Sequence, residues 1–192
     1  MNSEIECFDP ANKKEWREWL EKNHKQKDAV WLIIHKKGSS KPNLSWSDAV
    51  DEALCFGWID STKRPIDSEK YIQYFGKRKP NSIWSKINKD KIEQLTSSGL
   101  MTELGLESVK IAKQNGSWTL LDSAEKLEIP ADLEEAFGQR PKAKAYFLSL
   151  SKSARKSLLQ WIAMAKRPAT REKRISELIE SASKEERPKQ FR

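Results

Sequence analysis

Residues 55–65, CFGWIDSTKRP, gather a thiol, two aromatic rings, a carboxylate and two cations around one glycine. Chemistry there would need Cys55 as a thiolate, with a neighbouring base lowering its pKa, or Asp60 as an acid or base. Cys55, however, sits toward the C-terminus of a helical pattern, where the dipole disfavours a thiolate. Buried cysteine is also an ordinary small hydrophobe. The stretch therefore reads as a helix end feeding a strand, with Gly57 the pivot and Cys55 buried and inert. Asp60 is expected to pair with Lys63, Arg64 or Arg78. Asp51 and Glu52 are adjacent, so they point to different faces and form no carboxylate pair. His24 and His35 are not at ligand spacing, and the two cysteines, Cys7 and Cys55, form neither C-x-x-C nor a zinc set. No G-x-x-x-x-G-K, G-x-G-x-x-G, H-E-x-x-H or G-x-S-x-G run is present. No catalytic residue, metal ligand or cofactor is assigned on this basis.

The strongest constellation is KYIQYFGKRKPNSIWSK, residues 70–86. Tyr71, Tyr74, Phe75 and Trp84 supply rings; Lys77, Arg78, Lys79 and Lys86 supply charge. The run leads into a helix start at Ser82, whose free N–H groups would suit an anion. The expected ligand surface, basic and aromatic, comprises Trp58, Asp60, Arg64, Tyr71, Arg78, Lys79, Ser82, Trp84 and Lys86. The plain alternative is a core hairpin with solvated lysines. A second basic cluster, Lys166, Arg167, Arg171, Lys173 and Arg174, surrounds a helix–Pro–helix junction that does not resemble a helix-turn-helix reader.

Charge is unevenly distributed. The net +8 of the 192 residues resolves into −2 over residues 1–60, +6 over 61–91, −5 over 92–140 and +9 over 141–192. Such blocks are either solvated faces or surfaces for an anionic partner. Eight tryptophans concentrate burial in few residues, while 33% charged residues indicate a well-solvated surface. No apolar run approaches the roughly 20 residues of a membrane helix. The acidic start MNSEIECFDP lacks a signal-peptide pattern, so a cytoplasmic location without membrane insertion is expected.

These residues must be positioned by elements that the pattern delineates. Residues 13–24 are helical through Trp16, Trp19 and Leu20, capped by Asn12 or Asp9. DAVWLIIHKKG is a central strand, with Val30, Leu32 and Ile34 on one side and Trp31, Ile33 and His35 on the other. Ser45 starts a helix with Asp48 in its first turn and Trp46, Val50, Ala53 and Leu54 as its buried stripe; Gly57 ends it. WIDSTKRPID and KYIQYFGKR form a hairpin through Asp67, Ser68 and Glu69, with Tyr71 and Gln73 on one face and Ile72 and Tyr74 on the other. Pro65 marks an edge. Ser82 caps a helix through Trp84, Ile87, Ile92 and Leu95, closed by Gly99. Leu104 to Ala112 form another, closed by Asn115-Gly116. Residues 117–130 read as an extended connector. Helices follow from Pro130 to Gly138 and from Pro141 onward, with Ser151 and Thr170 as caps and Pro168 separating the last two. The tail ERPKQFR is expected to fray. The fold class is α+β, a small, mostly antiparallel sheet with packed helices and then a helical C-terminal half. Its expected division is 1–116, a connector 117–130 and a helical module 131–192 packed on the core.

Three separate motifs, WSDAVDEALCFGWID, YIQYFGKRKPNSIWSKIN and WIAMAKRPATREKRISELI, resemble the bacterial YdeI/OmpD-associated family, also called bacteriocin-protection proteins, over about Trp16 to Ile179. The resemblance implies a role in tolerance of bacteriocins and cationic antimicrobial peptides and brings no catalytic residues. A basic chain suits an anionic small molecule or an acidic protein partner better than the cationic peptide itself. The expectation is a non-enzymatic stress protein that binds such a ligand. A small enzyme, or a single-stranded nucleic-acid binder with a pocket between 55–64 and 71–86, stays open, so nucleic acid remains a candidate partner.

Overall fold

The computed structural model describes residues 5–192. Its elements fall into two compact units: Met1–Ser82 with Ile87–Ser117, and Ile83–Lys86 with Trp118–Arg192. The fold is α+β.

The first unit is built on a four-stranded mixed sheet of β1 (Cys7–Phe8), β2 (Ala29–His35), β3 (Trp58–Pro65) and β4 (Lys70–Lys77), in the order β1-β2-β4-β3. Only β1 and β2 are parallel; β2–β4 and β3–β4 are antiparallel. The two-residue β1 has too few positions to show an alternation and was not expected from the sequence. In β2, Val30, Leu32 and Ile34 are buried, and their neighbours are half-buried, as befits an interior strand. The hairpin closes where Asp67 Oδ1 accepts from the N–H groups of Glu69 and Lys70, an Asx turn. β3 lies at the sheet edge and ends at Pro65, as Pro requires, because it cannot donate to a ladder.

Two helices cover one sheet face. Helix α1 (Lys13–Asn23) is capped by Asn12, whose side chain accepts from Glu15 N, while Glu15 reaches back to Ala11 N. Its Trp16 is buried against Phe75 and donates from Nε1 to Ala49 O of α2 (Trp46–Cys55) at 3.0 Å. Ser45 caps α2 as expected. Its buried stripe is Ala49, Val50, Ala53 and Leu54; Trp46, expected within it, is 44% exposed. The indole lies in the first turn and leans outward to donate to Asp60 Oδ2 at 2.9 Å.

Helix α3 (Lys86–Ser97) starts at Lys86 rather than directly after Ser82, so Ser82 is not its cap; Ser82 N instead closes a turn onto Lys79 O. Ile87 is 63% exposed, and α3 buries Ile92 and Leu95. Helix α4 (Glu103–Gln114) is capped by Thr102 and buries Val109 and Ala112.

The second unit is helical. The span expected to be an extended connector instead turns through α5 (Asp122–Glu125), burying Leu121 and Ala124 and packing Leu127 against the helical cluster, while Leu120 stays exposed. It is followed by α6 (Ala131–Gly138), α7 (Pro141–Ser149), α8 (Lys152–Ala163) and α9 (Pro168–Ala182). Phe137, Phe147, Leu158, Ile162, Leu178 and Ile179 form one cluster, with Trp161 only partly buried against it. Ser151 caps α8. Thr170 does not cap α9: Pro168 occupies the first helical position, where its missing N–H is no loss, so the helix begins before Thr170. The tail, expected to fray, is instead ordered against the helices of this unit. A 3-10 turn over Lys189–Phe191 carries the Phe191 ring edge-on to Trp161, with centroids 5.6 Å apart.

Candidate ligand site

Helix α2 ends in a joint that local structure alone would not complete. Gly57 takes φ +72, a conformation that favours glycine, and turns the chain into β3. The Cys55 carbonyl accepts from Thr102 N at 3.0 Å and from Thr102 Oγ1 at 2.7 Å. Gly105 makes this approach feasible, since a Cβ there would stand 2.3 Å from Cys55 O. The Cys55 side chain is fully buried. Burial, with the Glu52 charge adding to it, pushes its thiol up to about 11, so it is protonated at neutral pH. Glu52, itself buried, is held by Arg17 at 2.7 Å and by Lys13 at 3.4 Å. The opening stretch is thus a structural joint around an inert thiol.

The joint forms one wall of a cavity of about 480 Å³ within the first unit. Phe56, Gly57 and Trp58 line it from the joint, and His24 and Lys25 from the end of α1. The opposite side comes from α4, where Leu104, Glu107, Ser108 and Ile111 fall at helical spacing on one face. Lys77, Arg78, Lys79 and Pro80 enter from the end of β4, where Arg78 N donates to Gly57 O at 2.9 Å.

The polar groups of this cavity differ in their commitments. Lys77 Nζ is engaged by Asp28 at 2.8 Å and by Lys25 O at 3.1 Å. Lys79 is exposed. Arg78 is half-buried; burial lowers its pKa to about 10, partly opposed by the Asp60 charge, so it stays a cation at neutral pH. His24 Nδ1 lies 2.6 Å from Leu20 O. A carbonyl can only accept, so Nδ1 carries the proton. Trp58 is 1% exposed, and its Nε1 has no hydrogen-bond partner among the described residues.

Of the residues of the expected ligand surface, Trp58, Arg78 and Lys79 meet at this cavity, together with Lys77 from the same basic run. The others lie elsewhere. Asp60 accepts from Trp46 and from Gln73 Nε2 at 3.2 Å, off the cavity wall. Tyr71 is buried on the helix-covered sheet face, under Lys63 at 3.9 Å from its ring. Arg64 lies on the other face, 4.7 Å over Trp31, which meets Tyr74 edge-on. Ser82 is in the turn before α3 and Lys86 is that helix's first residue. Trp84 belongs to the second unit, buried against Trp118 at 4.9 Å. The cavity residues missed from sequence, Leu104, Glu107, Ser108 and Ile111, carried one signal: an i, i+3, i+4, i+7 face whose members are not all apolar.

In the second basic cluster, Arg171 forks onto Asp132, with contacts of 2.6 and 2.9 Å, and Arg174 reaches Trp161 O while lying over its ring. Lys166, Arg167 and Lys173 are exposed.

A family model described as a domain of unknown function (DUF8412) matches residues 8–108, and one described as bacteriocin-protection, YdeI or OmpD-associated matches residues 126–185. Comparison with curated proteins and with solved structures gives no match. The third resembling motif, at 161–179, lies inside the bacteriocin-protection match, whereas the first two, with nearly all the cavity lining, lie inside the other. Because that other match covers more than half of the 192 residues, the chain belongs to the DUF8412 domain family, and its residues 126–185 carry the bacteriocin-protection, YdeI or OmpD-associated segment.

Proposed function

We propose that this is a non-enzymatic binding protein with a bacteriocin-protection-type role, acting in the cytoplasm, whose first unit holds an anionic ligand in the Arg78 cavity. The C-terminal match suggests the role. The observation carrying the binding reading is the cavity itself: Arg78 and Lys79 enter beside an apolar wall, so a charge there faces fewer competing waters than on an open surface. Arginine suits a carboxylate or phosphate head because its planar fork can meet two oxygens. No helix among the described residues is long and apolar enough to cross a membrane, which agrees with a protein that works without inserting.

The test compares Arg78→Ala with Lys189→Ala, a control outside the cavity. Each is titrated with small organic anions and inorganic phosphate, and each is used to complement a deletion strain challenged with a cationic bacteriocin. Loss of binding and of protection in Arg78→Ala alone supports the reading. Equal behaviour of the two variants in both assays overturns it.

A further inference from the structure

We propose that the cavity takes an aromatic ligand whose ring carries an uncharged hydrogen-bond donor, an N–H or O–H received by Nε2 of His24. This donor belongs to the ligand's ring and not to an acid head, so it goes beyond the anion reading above and does not depend on it.

His24 is 9% exposed and lines the cavity from the end of α1. Its two ring nitrogens differ. Nδ1 donates to Leu20 O at 2.6 Å, one turn back on its own helix. A neutral imidazole has a single N–H, so Nε2 is left with a lone pair. That lone pair meets no donor among the described residues. An unmatched acceptor within a fold is a group that a ligand can complete. The ring is also preorganised: Leu20 O pins one edge, and Phe56 flanks it with centroids 5.0 Å apart.

The rest of the lining narrows the kind of donor. Ser108 Oγ gives its one proton to Gly105 O at 2.7 Å and can otherwise only accept. Glu107 is paired with Lys110 at 3.4 Å. Trp58 Nε1 is enclosed in the wall, so Trp58 presents ring carbon. Lys25, Lys77, Arg78 and Lys79 outnumber the single carboxylate, which disfavours an ammonium donor and leaves a neutral N–H or O–H. Phe56, Trp58 and His24 suit a flat partner through offset and edge-on contacts, and Leu104 and Ile111 add apolar surface. The volume of about 480 Å³ equals roughly sixteen waters at about 30 Å³ each, room for a bicyclic ring with a short side chain.

The experiment is calorimetric titration of the full chain with indole and benzofuran, rings of nearly equal size of which only indole has an N–H. The propionic acid derivative of each is titrated alongside. Wild type is compared with His24→Asn. The asparagine amide can keep the bond to Leu20 O, as Asn23 does to Trp19 O at 2.8 Å, but it has no counterpart of Nε2. Wild type should bind each indole about tenfold more tightly than its benzofuran counterpart, and His24→Asn should abolish that preference. If the variant does not fold, the imidazole nitrogen NMR spectrum of wild type gives the same reading. The chain has only two histidines, and indole but not benzofuran should move the Nε2 resonance of His24. Equal affinity for the two rings, or a preference that survives in His24→Asn, overturns the inference. The anion reading still stands in that case if the acids bind more tightly than the parent rings and Arg78→Ala removes the difference. An N–H preference with no gain from the acid group supports the inference and counts against the anion reading. No binding by any of these probes overturns the inference.

Discussion

The two basic stretches of this chain look alike in sequence and differ in use. In the second unit, Arg171 and Arg174 act as staples: one forks onto Asp132 and the other tethers the end of α8 through Trp161. In the first unit, Arg78 is fixed by its backbone while its half-buried guanidinium lines a cavity. A run of bases therefore carries no function by itself. The arginines of one stretch join elements already packed together, whereas the other stretch also lines space that the packing leaves.

The comparison can be sharpened first through stability. Phe137→Ala removes a ring that is 1% exposed in the helical cluster and should cost about 3–5 kcal/mol. Urea unfolding measures it, and a loss below 1 kcal/mol would mean that the cluster does not hold the second unit. Trp161, only partly buried, should cost less than Phe137 when truncated. In the first unit, Gly105→Ala drives a methyl into the Cys55 carbonyl and should destabilise by about 1–3 kcal/mol. It should also distort the cavity, because α4 carries one wall of it.

Smaller effects separate the two arginines. Arg171→Ala should cost about 0.5–1 kcal/mol, the range of a well-aligned but half-exposed pair. The Arg171 hydrogen bonds hold the Asp132 carboxyl below its ordinary value. The contribution is therefore fully present above the unfolded carboxylate value of about 3.9 and is lost as pH falls through the lower folded value. Stability curves of wild type and Arg171→Ala should converge on acidification; parallel curves would contradict the pairing. Arg78→Ala, at the cavity, should weaken anion titrations that Arg171→Ala leaves unchanged. The smallest perturbation is chemical: a thiol reagent should label the exposed Cys7 quickly and leave Cys55 untouched until the protein unfolds.

Much of the fold is legible because its signals are local. Asn12, Ser45 and Ser151 cap helices where a short polar side chain precedes an apolar period, and Asx geometry closes the hairpin at Asp67. Thr170 fails as a cap because Pro168 opens α9 before it, and Ser82 fails because the chain makes a turn there and buries Trp84 before coiling. The interleaved aromatics of residues 71–75 mislead for a geometric reason. A strand alternates its side chains, so Tyr71 and Phe75 join the core while Tyr74 faces Trp31 on the opposite side. A pattern that is contiguous in sequence is thus divided by the pleat. The cavity is the converse case. It is assembled from four segments between His24 and Ile111, and no window of the sequence contains it.

The Thr102 clasp on the end of α2 has a bearing on the order in which the chain folds. The donors that complete this helix end lie 47 residues downstream of the carbonyl they satisfy. Closing so long a loop costs chain entropy before any contact rewards it. The first turns of α2, with their own cap at Ser45, can form early, but its last carbonyl must wait for α4 to arrive. Substitutions at Thr102 and Gly105 should accordingly speed unfolding far more than they slow folding, with φ-values near zero. The cavity that α4 walls would then be among the last features of the first unit to appear and among the first to open.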